Sequence, residues 1–456
     1  MNLDGPVRVA DAAGAGTATV KLSFDNWKGA KVAPTTHEVV VAPAKPGPKE
    51  EPVAKELLAT LAHPDRKANA YTVKFSGDGK RLLVAGYPSG VVQLFELASR
   101  REVRRIETPA GLRGSANYAL VSPDWKTLYV PVEKRTVKAA EKGGKRLYRF
   151  EYAGAVRVWD LATGEEQAPL KPAEGRAPVF GALSPGGSLL VCIERPSYDS
   201  DDRTPQDVTV AWDLKTGARR KLFDGYAYPS FSPDGKTLAV AVADHAAKTS
   251  TLRLFDAATS KELAKLECPD RERFFSLGGF SPDGSVVAVS PGGKKGAPHE
   301  VWFRDAKTLG DRGKFVGEAD PDRYGWGGGA FTPDGKKYVL LGGRKAAVWD
   351  VAAGKVARTF DTGGGASVSV SAVSPDGKTL ALAWAPKIPP ELEGARDVDP
   401  RDLPQPRVTL FDLAGDAPPR TLVAPHGYTG GLAFSPDGKS LAFGTSGGVH
   451  LFDLTK

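Results

Sequence analysis

The amino-acid sequence predicts an all-β protein built from repeated antiparallel sheets, and three observations lead to this prediction. Gly and Pro together supply about a fifth of the 456 residues, which argues against a protein dominated by long helices. A tight turn with the sequence Ser-Pro-Asp-Gly, or a close copy of it, occurs eight times. About twenty residues after most of these turns, an alternating strand ends in an aromatic residue followed by Asp.

The eight turns recur with a period that indicates a β-propeller. Their mean spacing is about 51 residues, near the length of a four-stranded propeller blade. In one copy, Pro233 presets φ, Asp234 can bond its own backbone, and Gly235 can adopt the positive φ needed to enter the next strand. We therefore predict an eight-bladed antiparallel β-propeller, or a seven-bladed one if a degenerate unit is an insertion. The turns begin at Ser76, Ser122, Ser184, Ser232, Ser281, Thr332, Ser374 and Ser435.

The strands that end in an aromatic residue and Asp carry a family resemblance. Three of them contain a Trp-Asp pair, at Trp159, Trp212 and Trp349, and further copies end in Phe-Asp. Together with the turns, they resemble the WD (tryptophan-aspartate) repeat family, and its bacterial members especially, over about 400 residues from Lys55 to Lys456. The resemblance implies a propeller in which the Trp side chains pack between neighbouring blades. It does not specify a function, because one fold hosts many roles.

The sequence also departs from the family's pattern. The Gly-His pair that normally precedes the first strand is absent from most units, and only His63 and His426 lie near that position. The buried Asp-His-Ser-Trp network typical of the family therefore cannot form in most blades. We expect the blades to depend more on apolar packing.

The ends of the repeat predict how the ring closes. The eighth unit stops after its third strand, and the segment from Lys55 to Leu61 resembles the outer strand of the fourth unit. We expect this N-terminal strand to complete the last blade, which hides two exposed sheet edges.

The sequence indicates three segments. Residues 1–43 form a short β extension that could be the end of a β-sandwich, residues 44–54 form a linker rich in Pro, Lys and Glu, and residues 55–456 form the propeller. Asp4 and Asp11 lie where a secretory leader would be basic and then apolar, and there is no long apolar run. We expect a monomeric cytoplasmic protein without a membrane span, or an exported one if an upstream leader is missing from this chain.

Three insertions indicate where a partner would bind. They occupy residues 131–155, 194–207 and 385–407, between the second and third strands of their units, and the resemblance places all of them on one face of the ring, called the top. Loops on a rigid scaffold commonly carry binding residues. Tyr324 and Trp326, in the loop that leads into the sixth unit, are either interface anchors or part of the core between blades. The candidate interaction residues are Arg135, Lys138, Tyr148, Arg149, Tyr198, Tyr324 and Trp326.

The first insertion is basic, with a balance of +4, and contains several aromatic residues. It could bind a polyanion such as nucleic acid, but a solvated hairpin extension whose charges block edge pairing is the favoured interpretation. The second insertion is acidic and could neutralise the first. Its aspartates lack the pattern of a calcium loop, so we predict no metal site.

No constellation of residues predicts catalysis. Gly444–Gly448 matches the hydrolase pattern G-x-S-x-G, but no helix is predicted to follow, and the six histidines lack zinc-ligand spacing. An eight-bladed quinoprotein dehydrogenase is the enzyme alternative, because its repeats also carry Thr-Gly after a strand-end Asp. Those enzymes hold the quinone against adjacent paired cysteines, whereas Cys192 and Cys268 are far apart in sequence. We therefore predict a noncatalytic scaffold without a cofactor, which binds a protein through its top face; nucleic acid is a less favoured partner.

Overall fold

The computed structural model describes two compact units, Met1–Pro52 and Val53–Lys456. In the first unit, β1 (Gly16–Leu22) and β2 (Thr35–Val41) form an antiparallel pair. The predicted β extension before β1, residues 1–15, lies outside the described residues. Those are 16–22, 35–41, 52–65, 68–87, 89–108, 113–114, 119–142, 145–199, 207–225, 227–244, 248–268, 274–292, 298–319, 329–342, 345–361, 368–384, 402–425 and 427–456.

The second unit begins with β3 and continues through three blades, which we number in chain order. β3 is Leu57–Ala62. Blade 1 contains β4 (Asn69–Phe75), β5 (Arg81–Tyr87), β6 (Val91–Glu96) and β7 (Arg101–Glu107). Blade 2 contains β8 (Arg113–Gly114), β9 (Leu120–Val121), β10 (Thr127–Lys142), β11 (Lys145–Asp160) and β12 (Glu166–Leu170). Blade 3 contains β13 (Arg176–Leu183), β14 (Leu189–Pro196), β16 (Val208–Asp213) and β17 (Arg219–Asp224), while β15 (Tyr198–Asp199) pairs with β11.

Five further blades follow the same order. Blade 4 contains β18 (Ala227–Phe231), β19 (Thr237–Asp244), β20 (Thr249–Asp256) and β21 (Glu262–Glu267), and blade 5 contains β22 (Ser276–Phe280), β23 (Val286–Ser290), β24 (Pro298–Asp305) and β25 (Asp311–Ala319). Blade 6 contains β26 (Gly329–Phe331), β27 (Lys337–Gly342), β28 (Lys345–Asp350) and β29 (Lys355–Asp361). Blade 7 contains β30 (Val368–Val373), β31 (Thr379–Trp384), β32 (Arg407–Asp412) and β33 (Arg420–Val423), and blade 8 contains β34 (Thr429–Phe434), β35 (Ser440–Thr445) and β36 (Gly448–Asp453).

These strands form an eight-bladed antiparallel β-propeller, so eight rather than seven blades is confirmed. The first strands of successive blades contact one another, as β18 does with β13 and β22, and are therefore the innermost strands of the ring. Among the residues that the structure describes, no helix is long and apolar enough to cross a membrane.

The predicted closure by the N-terminal strand is confirmed. β3 pairs antiparallel with β36, from Leu57 opposite Phe452 to Ala62 opposite Gly448, and supplies the outer strand of blade 8. On the inner side of this seam, Gly444 packs so closely against blade 1 that an added Cβ would lie 2.1 Å from the carbonyl oxygen of Ala70. The first and last blades are therefore joined through both their outer and inner strands.

The Trp residues of the three Trp-Asp pairs pack between blades, as the resemblance implied. Trp159 belongs to a buried cluster formed by blades 1 and 2, Trp212 to one formed by blades 2 and 3, and Trp349 to one formed by blades 5 and 6. The core is thus a series of apolar layers between sheets. The aspartates have a local role instead: the Asp160 carboxylate accepts the backbone N–H groups of Ala162 and Thr163, both at 2.8 Å.

A buried hydroxyl organises the turn between the first two strands of each blade. In blade 4, the backbone N–H of Thr237 donates to Ser232 Oγ at 2.9 Å, and the Ser232 hydroxyl donates to Asp234 at 2.6 Å. The hydrogen bond from the hydroxyl is the main reason that the pKa of the Asp234 carboxyl lies below its usual value. Six other blades have the same Ser/Thr–Asp bond, at 2.5–2.6 Å. Blade 3 lacks the Asp, and there Ser184 Oγ only accepts the N–H of Leu189, at 3.0 Å.

The turns also contact one another around the ring. Gly235 lies against Pro185, the proline in the turn of the preceding blade: a Cβ added to Gly235 would lie 3.5 Å from Pro185 Cδ. The same contact between glycine and proline recurs between most blades. Blade 2 is the exception, because Trp125 occupies the glycine position with φ of 58°. The preceding blade has Gly77 where the others have proline. The Trp125 side chain is buried in the core between blades 1 and 2.

A matched pair of serine substitutions tests the turn. We expect Ser232→Ala, which removes both the acceptor for Thr237 and the donor to Asp234, to lower the free energy of unfolding by about 2 kcal/mol. Ser184→Ala removes the acceptor alone and should cost about 1 kcal/mol. Urea unfolding with unchanged m-values is the measurement, and equal losses in the two variants would contradict the role given to the Asp.

A buried histidine lies at the seam that closes the ring. His450, on β36, bonds through Nδ1 to Thr60 Oγ1 of β3 at 3.0 Å and through Nε2 to Thr445 Oγ1 of β35 at 2.9 Å. Burial lowers the pKa of His450 to about 4. In blade 1 the equivalent position in β6 is Gln93, which donates to the carbonyl oxygen of Ala62 at 3.2 Å. A neutral polar side chain therefore suits this position in both blades.

The seam histidine makes stability depend on pH. Because the folded protein holds His450 neutral, its contribution is complete above the unfolded pKa of about 6.5 and declines as the pH falls towards 4. We expect the melting temperature to fall more steeply between pH 7 and pH 4.5 in the native protein than in His450→Gln, which copies blade 1. Thermal unfolding across this range measures the difference, and parallel profiles would argue against it.

Candidate functional site

The first insertion continues the second and third strands of blade 2 as a ribbon. β10 and β11 each have 16 residues and pair without interruption from Thr127 opposite Asp160 to Lys142 opposite Lys145. We call residues 134–153, which extend this hairpin beyond the blade, the arm. β15, from the second insertion, adds to its outer edge by pairing with Arg149 and Phe150. Two of the three insertions therefore meet in one structure, which has the hairpin form favoured from the sequence.

One face of the arm is aromatic and apolar. Cross-strand partners share a face, and the register places Val137 opposite Phe150 and Ala139 opposite Tyr148. Tyr198 of β15 joins this face, with its ring centroid 4.9 Å from that of Phe150. Val137 and Tyr148 remain 48% and 38% exposed. We call this surface the aromatic face.

A cation covers part of the aromatic face. Arg135 lies opposite Tyr152 in the ribbon, and its guanidinium carbon is 4.9 Å from the centroid of Phe150. The charge is therefore engaged by an aromatic ring of the arm itself. Tyr152 is buried, and its ring stacks on Tyr198 at 6.2 Å.

The opposite face carries charges that pair with one another. Lys138 forms an ion pair with Glu151 at 2.8 Å, and Arg149 forms one with Asp199 at 3.1 Å. The hydrogen bond from Lys138 keeps the pKa of the Glu151 carboxyl below its usual value, so the carboxylate stays charged. Two of the cations that the sequence offers to a polyanion, Lys138 and Arg149, are thus paired with carboxylates. The predicted neutralisation by the second insertion takes place through Asp199.

A hydrogen bond that the sequence did not reveal links the base of the arm to the residue after β14 of blade 3. The backbone N–H of Tyr152 donates to Ser197 Oγ at 2.8 Å. Within blade 3, the fully buried Glu194 accepts from Nε and Nη2 of Arg219 at 2.8 and 2.5 Å. Such a two-pronged contact restrains both side chains. The available signal was a charged residue directly after the apolar run of β14, which is unusual in a buried strand.

The structure brings together five of the seven candidate interaction residues. Arg135, Lys138, Tyr148 and Arg149 lie on the arm, and Tyr198 lies on the strand added to it. Their role in binding stays a prediction. Tyr324 and Trp326, and most of the insertion at 385–407, lie outside the described residues.

The hydrolase pattern at residues 444–448 has a structural explanation. It forms the turn between β35 and β36, where Gly444 faces the Ala70 carbonyl and an added Cβ on Gly448 would lie 2.3 Å from the Leu61 carbonyl oxygen. The Ser446 hydroxyl donates to Asn69 Oδ1 and accepts the N–H of Tyr428 at 3.0 Å. Both glycines and the serine therefore have a structural role in the contact between the first and last blades.

The cysteines do not form the adjacent pair of a quinoprotein. Cys192 is buried in the core between blades 2 and 3, and Cys268 packs against the core between blades 4 and 5. Burial raises the pKa of the Cys192 thiol, which keeps it unreactive. Within the described part of the chain, no group of three or more His, Cys, Asp or Glu side chains is arranged to hold a metal ion.

Comparison with known proteins supports the fold. The chain is similar to the crystal structure of the C-terminal WD40 domain of Sif2, with a TM-score of 0.58 and 12% sequence identity over 87% of this chain and 98% of that one. It also resembles Kuenenia stuttgartiensis hydrazine synthase, with a TM-score of 0.47 and 15% identity over 80% of this chain and 99% of that one. No protein-family model and no curated protein matches the sequence. The class of protein is thus a WD40-like β-propeller; the second likeness is too weak to bear on function.

Proposed function

We propose that this chain is a noncatalytic platform that binds a protein partner through the aromatic face of the arm. The observation that carries the proposal is the exposure of Val137 and Tyr148 on a ribbon whose register and base are fixed by the rest of the ring. Exposed aromatic and apolar side chains on a rigid element are typical anchors of protein interfaces. A ribbon that served only as a spacer would gain nothing from an exposed apolar face.

The charges of the arm favour a protein over a polyanion. Lys138 and Arg149 already pair with Glu151 and Asp199, so a phosphate backbone would have to compete with these carboxylates. The guanidinium of Arg135 lies over Phe150. Binding to a polyanion releases counterions and weakens steeply with salt. Binding through apolar anchors is much less sensitive to salt, so this dependence separates the two functions.

Two double variants test the proposed face. We expect Val137→Ser with Tyr148→Ser to weaken capture of the partner at least about tenfold, which corresponds to about 1.4 kcal/mol. The matched control, Lys134→Ser with Thr136→Ser, changes the opposite face and should capture the partner normally. The measurement is quantitative affinity capture from an extract of the source cells. It is repeated at salt concentrations from about 50 mM to about 500 mM, because binding to a polyanion weakens steeply over this range.

A shortened arm provides the second comparison. Replacing residues 137–150 with Asn-Gly joins Thr136 to Glu151 through a two-residue hairpin turn and keeps the register of the blade. It should abolish capture while the protein keeps the cooperative thermal unfolding of a folded ring. Identical partners for the intact and shortened proteins would refute the proposal. Capture that disappears at high salt would indicate polyanion binding instead.

A further inference from the structure

A groove lies between the turns of blades 8 and 1, beside the strand β3 that closes the ring. Its volume is about 480 Å³, within the range of roughly 300–1,000 Å³ that is typical of small-ligand sites. The apolar side chains that line it are buried or half-buried, whereas the charged ones are exposed. We call it the seam groove, and the lining residues that matter below are Leu58, Leu97, Leu451, Asp78, Asp437 and Arg100.

At three other junctions between blades, an arginine of the chain itself occupies the corresponding place. Each arginine belongs to the outer strand of one blade, and its guanidinium group donates to a backbone carbonyl oxygen at the end of the third strand of the next blade or just beyond it. The donors and their acceptors are Arg104 and Ala162, Arg220 and Ala257, and Arg358 and Asp412. A guanidinium group is therefore well suited to the space between adjacent blades at these turns.

Blade 8 has no arginine at this position. Arg104 lies opposite Leu94 in blade 1, and the equivalent pair in blade 8 is Ala59 opposite Leu451, since both leucines directly precede the aromatic residue of the third strand. Leu451 belongs to the core between blades 8 and 1, and cross-strand partners share a face, so Ala59 also faces blade 1. The methyl group of Ala59 is too short to reach the carbonyl groups that follow β6.

The junction of blades 4 and 5 shows a different way to fill the space. The outer strand of blade 4 also has an alanine, Ala264, opposite Leu254. The turn of blade 5 compensates with Leu309, which is 4% exposed and packs into the core between these two blades. Blade 1 has Arg100 at the same turn position, and Arg100 is exposed and donates to the carbonyl oxygen of Leu58 at 3.1 Å. Neither kind of filling side chain is therefore present in the seam groove.

The charges of the seam groove favour a cation. Asp78 and Asp437 each use Oδ1 to accept a serine hydroxyl and a backbone N–H of their own turn. The serine hydroxyls are the main reason that the pKa of both carboxyls lies below the usual value, so both are charged at neutral pH. The hydrogen bonds that the described residues make to these carboxylates all involve Oδ1, which leaves Oδ2 available to a donor. Two carboxylates and the guanidinium of Arg100 give the lining a net charge of −1.

We propose that the seam groove binds an arginine side chain of a protein partner. The guanidinium group donates to the free carboxylate oxygens of Asp78 and Asp437 and to the carbonyl groups that follow β6, as the chain's own arginines do at other junctions. The aliphatic part of the arginine packs against the leucines of the groove. This site is separate from the arm and does not rest on the function proposed for it.

The experiment observes the lining of the groove directly. The probe is N-acetyl-arginine methylamide, which carries a guanidinium group and no other charge. The full chain is labelled with ¹³C at its leucine methyl groups, and the signals of Leu58 and Leu97 are identified by their absence in Leu58→Ile and Leu97→Ile. We expect both signals to shift during titration. The probe should bind at least about tenfold more tightly than the matching lysine compound or the neutral citrulline compound.

The comparison compounds also define what would contradict the proposal. Equal affinity for the citrulline compound would show that charge plays no part, and equal affinity for the lysine compound would show that the guanidinium group is not recognised. Tighter binding of free arginine than of the blocked probe would assign the groove to a free amino acid instead of a protein.

Variants of the lining separate the seam groove from binding elsewhere. Ala59→Arg supplies the arginine that blades 1, 3 and 6 already have, so it should raise the melting temperature and abolish the response to the probe. Asp78→Asn with Asp437→Asn keeps an acceptor oxygen in both turns but removes the charges, and should weaken binding at least about tenfold. The matched control, Asp234→Asn, makes the same change in the turn of blade 4 and should bind normally. An undiminished response in Ala59→Arg or in the double variant would overturn the proposal.

Discussion

The propeller depends on a hydroxyl that accepts a backbone N–H in the turn between the first two strands of every blade. All eight blades have this bond, whereas the donation from the hydroxyl to an Asp is missing in blade 3. The hydrogen bond that the hydroxyl oxygen accepts from the backbone is therefore the feature that all eight turns share. It closes the turn five residues after the hydroxyl and so joins the first two strands of each blade. The glycine of most turns then packs against the proline of the preceding blade's turn, which links the turns around the ring.

Departures from the repeat occur where the ring imposes a second requirement. At the seam, Gly430, Gly431 and Gly444 allow β34 and β35 to approach the backbone of β4, since an added Cβ would lie 2.1–2.3 Å from its carbonyl oxygens. At the junction of blades 1 and 2, Gly77 replaces the proline of one turn and the buried Trp125 replaces the glycine of the next. These residues break the local pattern at places where neighbouring blades meet.

The sequence predicted the parts of the molecule that arise from local, repeated signals. The eight turns, the antiparallel blades, the closing strand near Leu57 and the layers containing Trp212 follow from patterns a few residues long. The pairing of Arg149 with Asp199 joins two insertions that are 50 residues apart, and no periodicity encodes it. The same holds for Glu194 of β14 and Arg219 of β17, whose side chains meet although β16 lies between their strands in blade 3. Contacts of this kind depend on the geometry that folding creates.

The construction of the arm explains why its shape matters more than its net charge. A two-stranded hairpin on its own is marginally stable in water. Here a third strand, β15, adds to it, and Tyr198 and Asp199 extend its two faces in register, one apolar and one charged. On the charged face, Lys138 and Glu151 form an ion pair, whereas on the aromatic face Val137 remains exposed to solvent. The arm therefore has one face whose charges form ion pairs and one face with exposed apolar side chains. Only the aromatic face buries apolar surface when a partner binds, and the ring holds this face in a fixed orientation.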